Sequence, residues 1–371
     1  MTSPDPRPLV AVLFGGRSSE HSVSCVTAAG VLGAIDRESF RVVPIGITRN
    51  GTWRIVENWQ DFRFDPENMP EVSDNGTRVL PPISAEGDSL REITADGAVR
   101  ELGVVDVFFP VLHGPFGEDG TLQGLFELSS TPYVGPGVFA SAASMDKHFM
   151  KGVLAQTGIP SCPWELVTER QWHEDPSEVL GRVEALGFPV FVKPARAGSS
   201  MGVSKVTTAA GLDVAVKEAL AHDTKLVVEP MVVGREIECG VLGELGGEVR
   251  ASVPGEITLV GDRDFYDFEA KYLDLESVQL SCPADLPPEV VEKVQDLAVR
   301  TFEAFDCTGL ARVDTFVTPA GEVVVNELNT LPGFTPSSMY PVMWQKTGVE
   351  YPELVRTLIE IALREGAPVA A

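Results

Sequence analysis

The sequence predicts an α/β protein whose N-terminal part is a doubly wound layer, and three observations carry that reading. Leu9 to Phe14 is a short apolar run ending in Gly15-Gly16, which reads as a buried parallel strand. Ser22 to Ile35 follows with apolar residues at helical spacing and a serine at its start to cap the first turn. Further strands are expected at Phe40–Thr48 and Val104–Leu112, and strand, helix, strand in this order builds a sheet covered by helices.

The remaining elements follow in order. Gly51 to Leu102 is rich in polar residues, Pro and Gly, and reads as an insertion with weak strands rather than a separate domain. A helix is expected from about Val138 to Thr157, broken by Gly158-Ile159-Pro160. Short strands at Pro189–Lys193 and Leu226–Glu229 flank a helix at Ala209–Ala221. From Arg235 come more strands, a helix near Pro288–Phe305, and a hairpin of Ala311–Val317 and Val323–Asn329 turned at Pro319-Ala320-Gly321. Two short helices end the chain, and no internal repeat interrupts this order.

The 371 residues, 44% hydrophobic and 22% charged, suit two or three domains with a substantial core. A formal net charge of -25 repels phosphate backbones and anionic lipid, so no nucleic acid and no membrane is expected as a partner. Lysine is scarce and absent before Lys147, so each lysine set in a distinctive motif is informative. The five cysteines, Cys25, Cys162, Cys239, Cys282 and Cys307, are odd in number with no C-x-x-C pair, against a disulfide framework or zinc site. Met1 to Pro8 has no charged-then-apolar signal pattern, and no apolar run reaches the ~18 residues of a membrane span. A cytoplasmic protein is the expectation.

Chemistry concentrates in five places. In the hairpin, period two puts Glu327 and Asn329 on one face, while Asp314 and Arg312 share a face of the partner strand. Three oxygen ligands on adjoining strands, without His or Cys, suit a hard cation such as Mg²⁺, which completes its shell with water and substrate phosphates. A solvated strand face would look the same in isolation. The adjoining turn, Asn329-Thr330-Leu331-Pro332-Gly333-Phe334-Thr335, exposes backbone N–H groups able to stabilise an oxyanion. Second, a strand delivers Lys193 into the loop Pro194-Ala195-Arg196-Ala197-Gly198-Ser199-Ser200-Met201-Gly202, a phosphate cover in chemical terms although not a P-loop. By itself such a loop is also a plain turn.

Third, Val227-Val228-Glu229-Pro230-Met231-Val232 leads to Glu236, a segment able to meet an adenine edge and ribose hydroxyls, or simply a pair of surface glutamates. Fourth, Gly15-Gly16-Arg17-Ser18-Ser19-Glu20-His21 fails the G-x-G-x-x-G dinucleotide test, and its carboxylate is suited to a substrate ammonium. Fifth, Leu112-His113-Gly114-Pro115-Phe116-Gly117-Glu118-Asp119-Gly120 sits at the carboxyl end of a strand, where open α/β sheets bind ligands. An isolated histidine is more often structural, but one within a Gly-flanked loop is a site candidate.

These segments, together with Ser144-Met145-Asp146-Lys147 and Phe265-Tyr266-Asp267-Phe268-Glu269-Ala270-Lys271-Tyr272, resemble the D-alanine–D-alanine ligases of the ATP-grasp superfamily from about Val10 to the C-terminal helices. The resemblance implies a three-domain ATP-grasp fold, α+β in its ATP-binding part: residues 1–140 with the 51–102 insertion, 141–232, and 233–371. It implies synthesis of D-alanyl-D-alanine from ATP and two D-alanines through an acyl phosphate, for peptidoglycan precursors. Lys147, Lys193, Ser200 and Lys271 would contact the ATP phosphates; Glu229, Met231 and Val232 the adenine; Glu236 the ribose. Asp314, Glu327 and Asn329 would hold two Mg²⁺ ions, with Mn²⁺ as a substitute. Glu20 would pair with the first D-alanine's ammonium near His113, and Ser338 and Met339 would meet the second one's carboxylate. Arg312 and the Gly333 N–H would hold the tetrahedral oxyanion, under a cover in which Tyr272, Ser199 and Glu20 meet. A homodimer is expected. Within the fold the alternatives are D-alanine–D-lactate or D-alanine–D-serine ligation, and outside it a non-catalytic nucleotide-binding regulator. Two departures are Leu331, where some members have Ser, and the 51–102 insertion, absent from short members.

Overall fold

The computed structural model describes residues 5–259 and 278–366, which build four sheets. In the first, Leu9–Gly15 runs parallel to Arg41–Ile47 on one side and to Val107–Pro110 on the other, and Trp53–Ile55 adds an antiparallel edge. Both faces of the central strand are covered, which is why its residues are apolar without alternation. Val10, Val12 and Phe14 enter a core shared with the helices His21–Ala34 and Tyr351–Glu365. Leu9, Ala11 and Leu13 enter another with Leu122 and Phe126 of the helix Thr121–Leu128. The first sheet is therefore closed by the last helix of the chain.

The insertion packs onto the first sheet. Its strands Arg78–Leu80, Ser89–Ile93 and Val99–Val104 form a small antiparallel sheet, and Val79 and Leu90 join the core of Leu9 and Leu13. His21 ties it down. Its Nδ1–H donates to the Gly16 carbonyl at 2.7 Å and its Nε2 accepts the Val72 N–H at 3.0 Å; burial lowers the ring's pKa against the opposing pull of the Gly16 carbonyl.

One expected element is corrected. The helix read from Val138 to Thr157 is two helices, Val138–Met145 and Lys147–Gln156, broken at Asp146. Asp146 leaves helical geometry (φ -95°, ψ 102°) because its carboxylate caps the N–H groups of His148 and Phe149 and also pairs with Lys225. The break places Lys147 at the head of a helix.

The second sheet is antiparallel, in the order Ser204–Val206, Val190–Pro194, Lys225–Pro230, Glu165–Thr168. Val190, Val192, Leu226 and Val228 pack under the helices Pro176–Leu186 and Leu212–Leu220. Alternation turns Phe191, Lys193 and Glu229 to the opposite face. The third sheet runs Val278–Ser281, Gly255–Leu259, Arg235–Gly243, Gly309–Val317, Val323–Asn329, with Val249–Ala251 paired to Arg235–Gly243. Its core residues, among them Ile237, Cys239, Ala311 and Val313, pack on the helix Pro288–Ala304. The segment after Gly158 joins the second and third sheets: Val325 N–H donates to the Pro160 carbonyl at 2.8 Å, beside a bridge between Ser161 and Val325. Among the described residues no helix is long and apolar enough to cross a membrane.

Candidate active site

The hairpin brings its polar residues together through a bulge. Arg312 faces Asn329 and Asp314 faces Glu327, but Thr315 faces Val325, so Asn326 is an extra residue. Strict alternation would put Glu327 and Asn329 on the side of Val323 and Val325, under the helix. The extra residue reverses the phase. Val323, Val325 and Leu328 are all buried, while Glu327 and Asn329 share the open face with Arg312 and Asp314.

On that face the Arg312 guanidinium grips Asp314 with both arms, Nε to Oδ1 at 2.7 Å and Nη2 to Oδ2 at 2.8 Å, and lies 3.3 Å from buried Glu238. Asn329 Nδ2 donates to Asp314 Oδ2 at 2.9 Å. Glu327 receives Lys147 at 3.4 Å, and Lys147 also donates to the Ala197 carbonyl at 2.9 Å. A lysine thus links the glycine-serine loop to the hairpin carboxylate. No group of three or more His, Cys, Asp or Glu with metal-binding geometry exists among the described residues. The donor set is instead two carboxylates and one amide, whose oxygen and nitrogen exchange by a flip. Hard oxygen donors of this kind fit a hydrated divalent cation that takes its other ligands from phosphate.

Lys193 and Glu229 are adjacent, Nζ to Oε2 at 2.8 Å, and a residue that the sequence reading missed completes the set. Lys151, fully buried, lies 3.2 Å from the other oxygen, Glu229 Oε1. Burial works against charge on both Lys193 and Glu229, but attraction overcomes it: Glu229 raises the Lys193 pKa, and the two lysines lower that of the Glu229 carboxyl. The signal was Lys151's place one helical turn after Lys147, on the buried side of an amphipathic helix. Phe191, two residues before Lys193, and Phe316, two after Asp314, are further misses. Each is partly open on its sheet's polar face, a flat apolar wall for a planar ring. Glu236 shares the face of Glu238, and Met231 and Val232 are partly exposed just beyond the strand that carries Glu229.

The glycine-serine loop reaches the first sheet. Ser199 and Ser200 both adopt left-handed backbone (φ 50° and 57°), a strained arrangement for non-glycine residues that is typical of ligand-holding loops. It aims Ser199 Oγ at Glu20 Oε1, 2.7 Å away, so two parts of the expected cover meet. Lys271, and Tyr272 of that cover, lie outside the described residues. Buried His113 donates through Nδ1 to the Leu331 carbonyl at 3.1 Å, and burial lowers its pKa. Ser338 Oγ accepts the Thr335 N–H at 3.1 Å and stands near Gly333, while Met339 is buried at the head of the helix Met339–Thr347, packed toward Gly255. Apart from the two residues outside the description, the expected site residues lie on strands of the second and third sheets or in loops between elements, with Lys147 and Met339 at the heads of helices.

Residues 9–136 match the family model described as D-ala D-ala ligase N-terminus, and residues 153–360 match the one described as D-ala D-ala ligase C-terminus. The chain belongs to the D-alanine–D-alanine ligase family. It is 59% identical over 98% of its length to the D-alanine–D-alanine ligase of Kineococcus radiotolerans, covering 98% of that chain. To the enzyme of the same name from Pseudarthrobacter chlorophenolicus it is 54% identical, over 96% of this chain and 94% of that one. Among solved structures, the VanG D-Ala:D-Ser ligase of Enterococcus faecalis superposes with a TM-score of 0.82 at 36% identity, covering 96% of this chain and 99% of the other. The D-alanine–D-alanine ligase of Coxiella burnetii gives 0.80 at 33%, over 97% and 95%. The fold is thus the ATP-grasp fold of this family. Against that background the Leu331 departure has a structural consequence: the side chain is buried in the core that joins the first sheet to the C-terminal helices.

Proposed function

We propose that this protein condenses two D-alanine molecules to D-alanyl-D-alanine, converting ATP to ADP and phosphate, in the cytoplasm and as a homodimer. Residues 1–140 would supply the amino-acid side of the site, with 141–232 and 233–371 enclosing the nucleotide. The single observation that carries the reading is the bulged hairpin, which sets Arg312, Asp314, Glu327 and Asn329 on one face within reach of Lys147. Asp314, Glu327 and Asn329 would hold two Mg²⁺ ions, or Mn²⁺ in their place, which neutralise charge on the transferring phosphoryl group.

The chain's own residues divide the remaining work. Lys147, Lys193, Ser200 and Lys271 hold the phosphates; Glu229 with the Met231 and Val232 backbone takes the adenine, and Glu236 the ribose. Lys193 then exchanges Glu229 for phosphate, and Lys151 keeps the Glu229 carboxylate in place. Glu20 holds the first D-alanine's ammonium beside His113, and a carboxylate oxygen of that D-alanine attacks the γ-phosphorus as ADP leaves. The amine of the second D-alanine, held through its carboxylate at Ser338 and the Met339 helix end, attacks the acyl phosphate. Arg312 and the Gly333 N–H receive the tetrahedral oxyanion, which collapses with release of phosphate. Ser199, Glu20 and Tyr272 close over the acyl phosphate and exclude water.

The test is ADP release with D-alanine against a panel of D-amino acids and D-lactate, with product analysis. D-alanyl-D-alanine as the main product is expected. A predominant depsipeptide or a mixed D-alanyl-D-serine product would overturn the acceptor assignment, and absence of any ATP turnover would favour a nucleotide-binding regulator.

A further inference from the structure

The loop after Val107–Pro110 does something that its expected place beside the substrate does not explain. Glu118 reaches across to the turn that follows the hairpin: Oε1 accepts the Leu331 N–H at 3.1 Å, and Oε2 accepts the Gly114 N–H at 2.6 Å. His113 in the same loop donates Nδ1–H to the Leu331 carbonyl at 3.1 Å. Both polar groups of one residue, distant in sequence from the loop, are thus held by neighbouring side chains. The Leu331 side chain is buried as well, so this residue is fixed on three sides.

The gripping groups are themselves braced. His113 Nε2 lies 3.4 Å from Thr27 Oγ1, and Gln123 Nε2 donates to the Gly117 carbonyl at 2.8 Å, which holds the loop that carries Glu118. Gly117 has no room for a side chain, since a Cβ there would lie 2.6 Å from the Leu112 side chain. Two residues beyond Leu331 stands Gly333. An N–H that stabilises an oxyanion does so only when aimed at the place where charge develops, and displacement of about 1 Å is worth on the order of 100-fold in rate.

We propose that His113 and Glu118 are positioning residues for peptide-bond formation: by clamping the Leu331 peptide, the first sheet sets the aim of the Gly333 N–H. The inference rests on the ligase reading of the site and specifies which of the two chemical steps the clamp serves. During phosphoryl transfer the oxygen facing that N–H loses negative charge, whereas attack by the second amine returns it, so the clamp serves the second step.

The experiment is rapid-quench single turnover of the full-length enzyme with ATP, Mg²⁺ and D-alanine, following ADP and dipeptide separately. In Glu118→Leu the side chain keeps most of its volume but accepts neither N–H group. The expected result is a burst of ADP at an unchanged rate, followed by dipeptide formation slowed about 10- to 100-fold. His113→Leu, which removes the donor to the Leu331 carbonyl, should slow dipeptide formation more than ADP release, and His113→Asn, which returns an N–H near the Nδ1 position, should recover a large part of that extra loss. Thermal melting of each variant accompanies the kinetics. ADP and dipeptide slowed in parallel, or a change confined to KM for D-alanine, would overturn the proposal in favour of a structural brace or a direct substrate contact. Failure of the wild type to form any dipeptide would instead refute the ligase reading on which it rests.

Discussion

Replacing Lys151 with methionine leaves the shape of a fully buried side chain nearly intact and deletes its charge. The ammonium lies 3.2 Å from Glu229 Oε1 and 3.4 Å from the Cys162 carbonyl. At that separation and an effective dielectric of about 20, the attraction to Glu229 is on the order of 5 kcal/mol, and loss of the lysine's own desolvation penalty offsets part of it. Breaking a buried pair costs about 3–5 kcal/mol when the remaining charge has no partner. Here Lys193 still holds the second oxygen at 2.8 Å, so a loss of about 3 kcal/mol is expected, at the low end of that range. Urea denaturation followed by circular dichroism measures it, with the slope compared between variants so that a change in the denatured state is not mistaken for a change in stability. The decisive arm is the double variant Lys151→Met/Glu229→Gln. With the carboxylate neutralised as well, only Lys193 loses its partner, as it already does in Glu229→Gln alone, and the double variant should be at least about 1 kcal/mol more stable than the sum of the single losses. A Lys151→Met loss below about 1 kcal/mol, or additivity within about 0.5 kcal/mol, would refute the stranded-charge argument.

Other expectations are checked more briefly. Glu327→Ala removes a carboxylate opposite Asp314 and should abolish ATP-dependent dipeptide synthesis while the fold is kept; near wild-type turnover would show that the metal assignment is wrong. Burial, with the charges of Glu20 and Glu327, pushes the Glu118 carboxyl up to about 8, against the pull of its two N–H donors. A carboxyl raised in the folded state binds its proton more tightly there than in the unfolded chain. Its contribution is therefore full below the unfolded value of about 4.3 and is lost as pH rises toward 8. Denaturation midpoints of wild type should thus fall relative to those of Glu118→Gln between pH 5 and about 8, and parallel curves would contradict the shift. Leu331→Ala opens a cavity in the core shared by the first sheet and the C-terminal helices, and should lower stability by about 2–5 kcal/mol in the same urea assay.

Much of the site was legible in the chain because its residues lie close together in sequence or recur at strand spacing. Asp314 with Arg312, Glu327 with Asn329, and Lys193 with its loop are local patterns that survive any packing of the sheets. The strands of the first layer were readable for the same reason, since a run buried on both faces needs no partner to declare itself. Lys151 and Glu118 were not singled out. One looks like an ordinary helical lysine and the other like an ordinary loop carboxylate until Glu229 and Leu331 are brought against them. The single helix expected around Asp146 failed because a capping carboxylate and Lys225, both outside the apolar pattern, decide the break.

By itself, then, the sequence determined which side chains are available for metal, nucleotide and amino-acid chemistry, and in which strands and loops they sit. Tertiary structure decided which way they face and what they touch. The extra residue Asn326 reverses the phase of one strand and turns Glu327 and Asn329 out of the core, an effect of pairing that composition does not encode. The grip of His113 and Glu118 on Leu331 likewise exists only once the first and third sheets are brought together. Hydrogen bonds and ion pairs act over about 3 Å, so partners far apart in sequence are assigned only when the fold closes that distance.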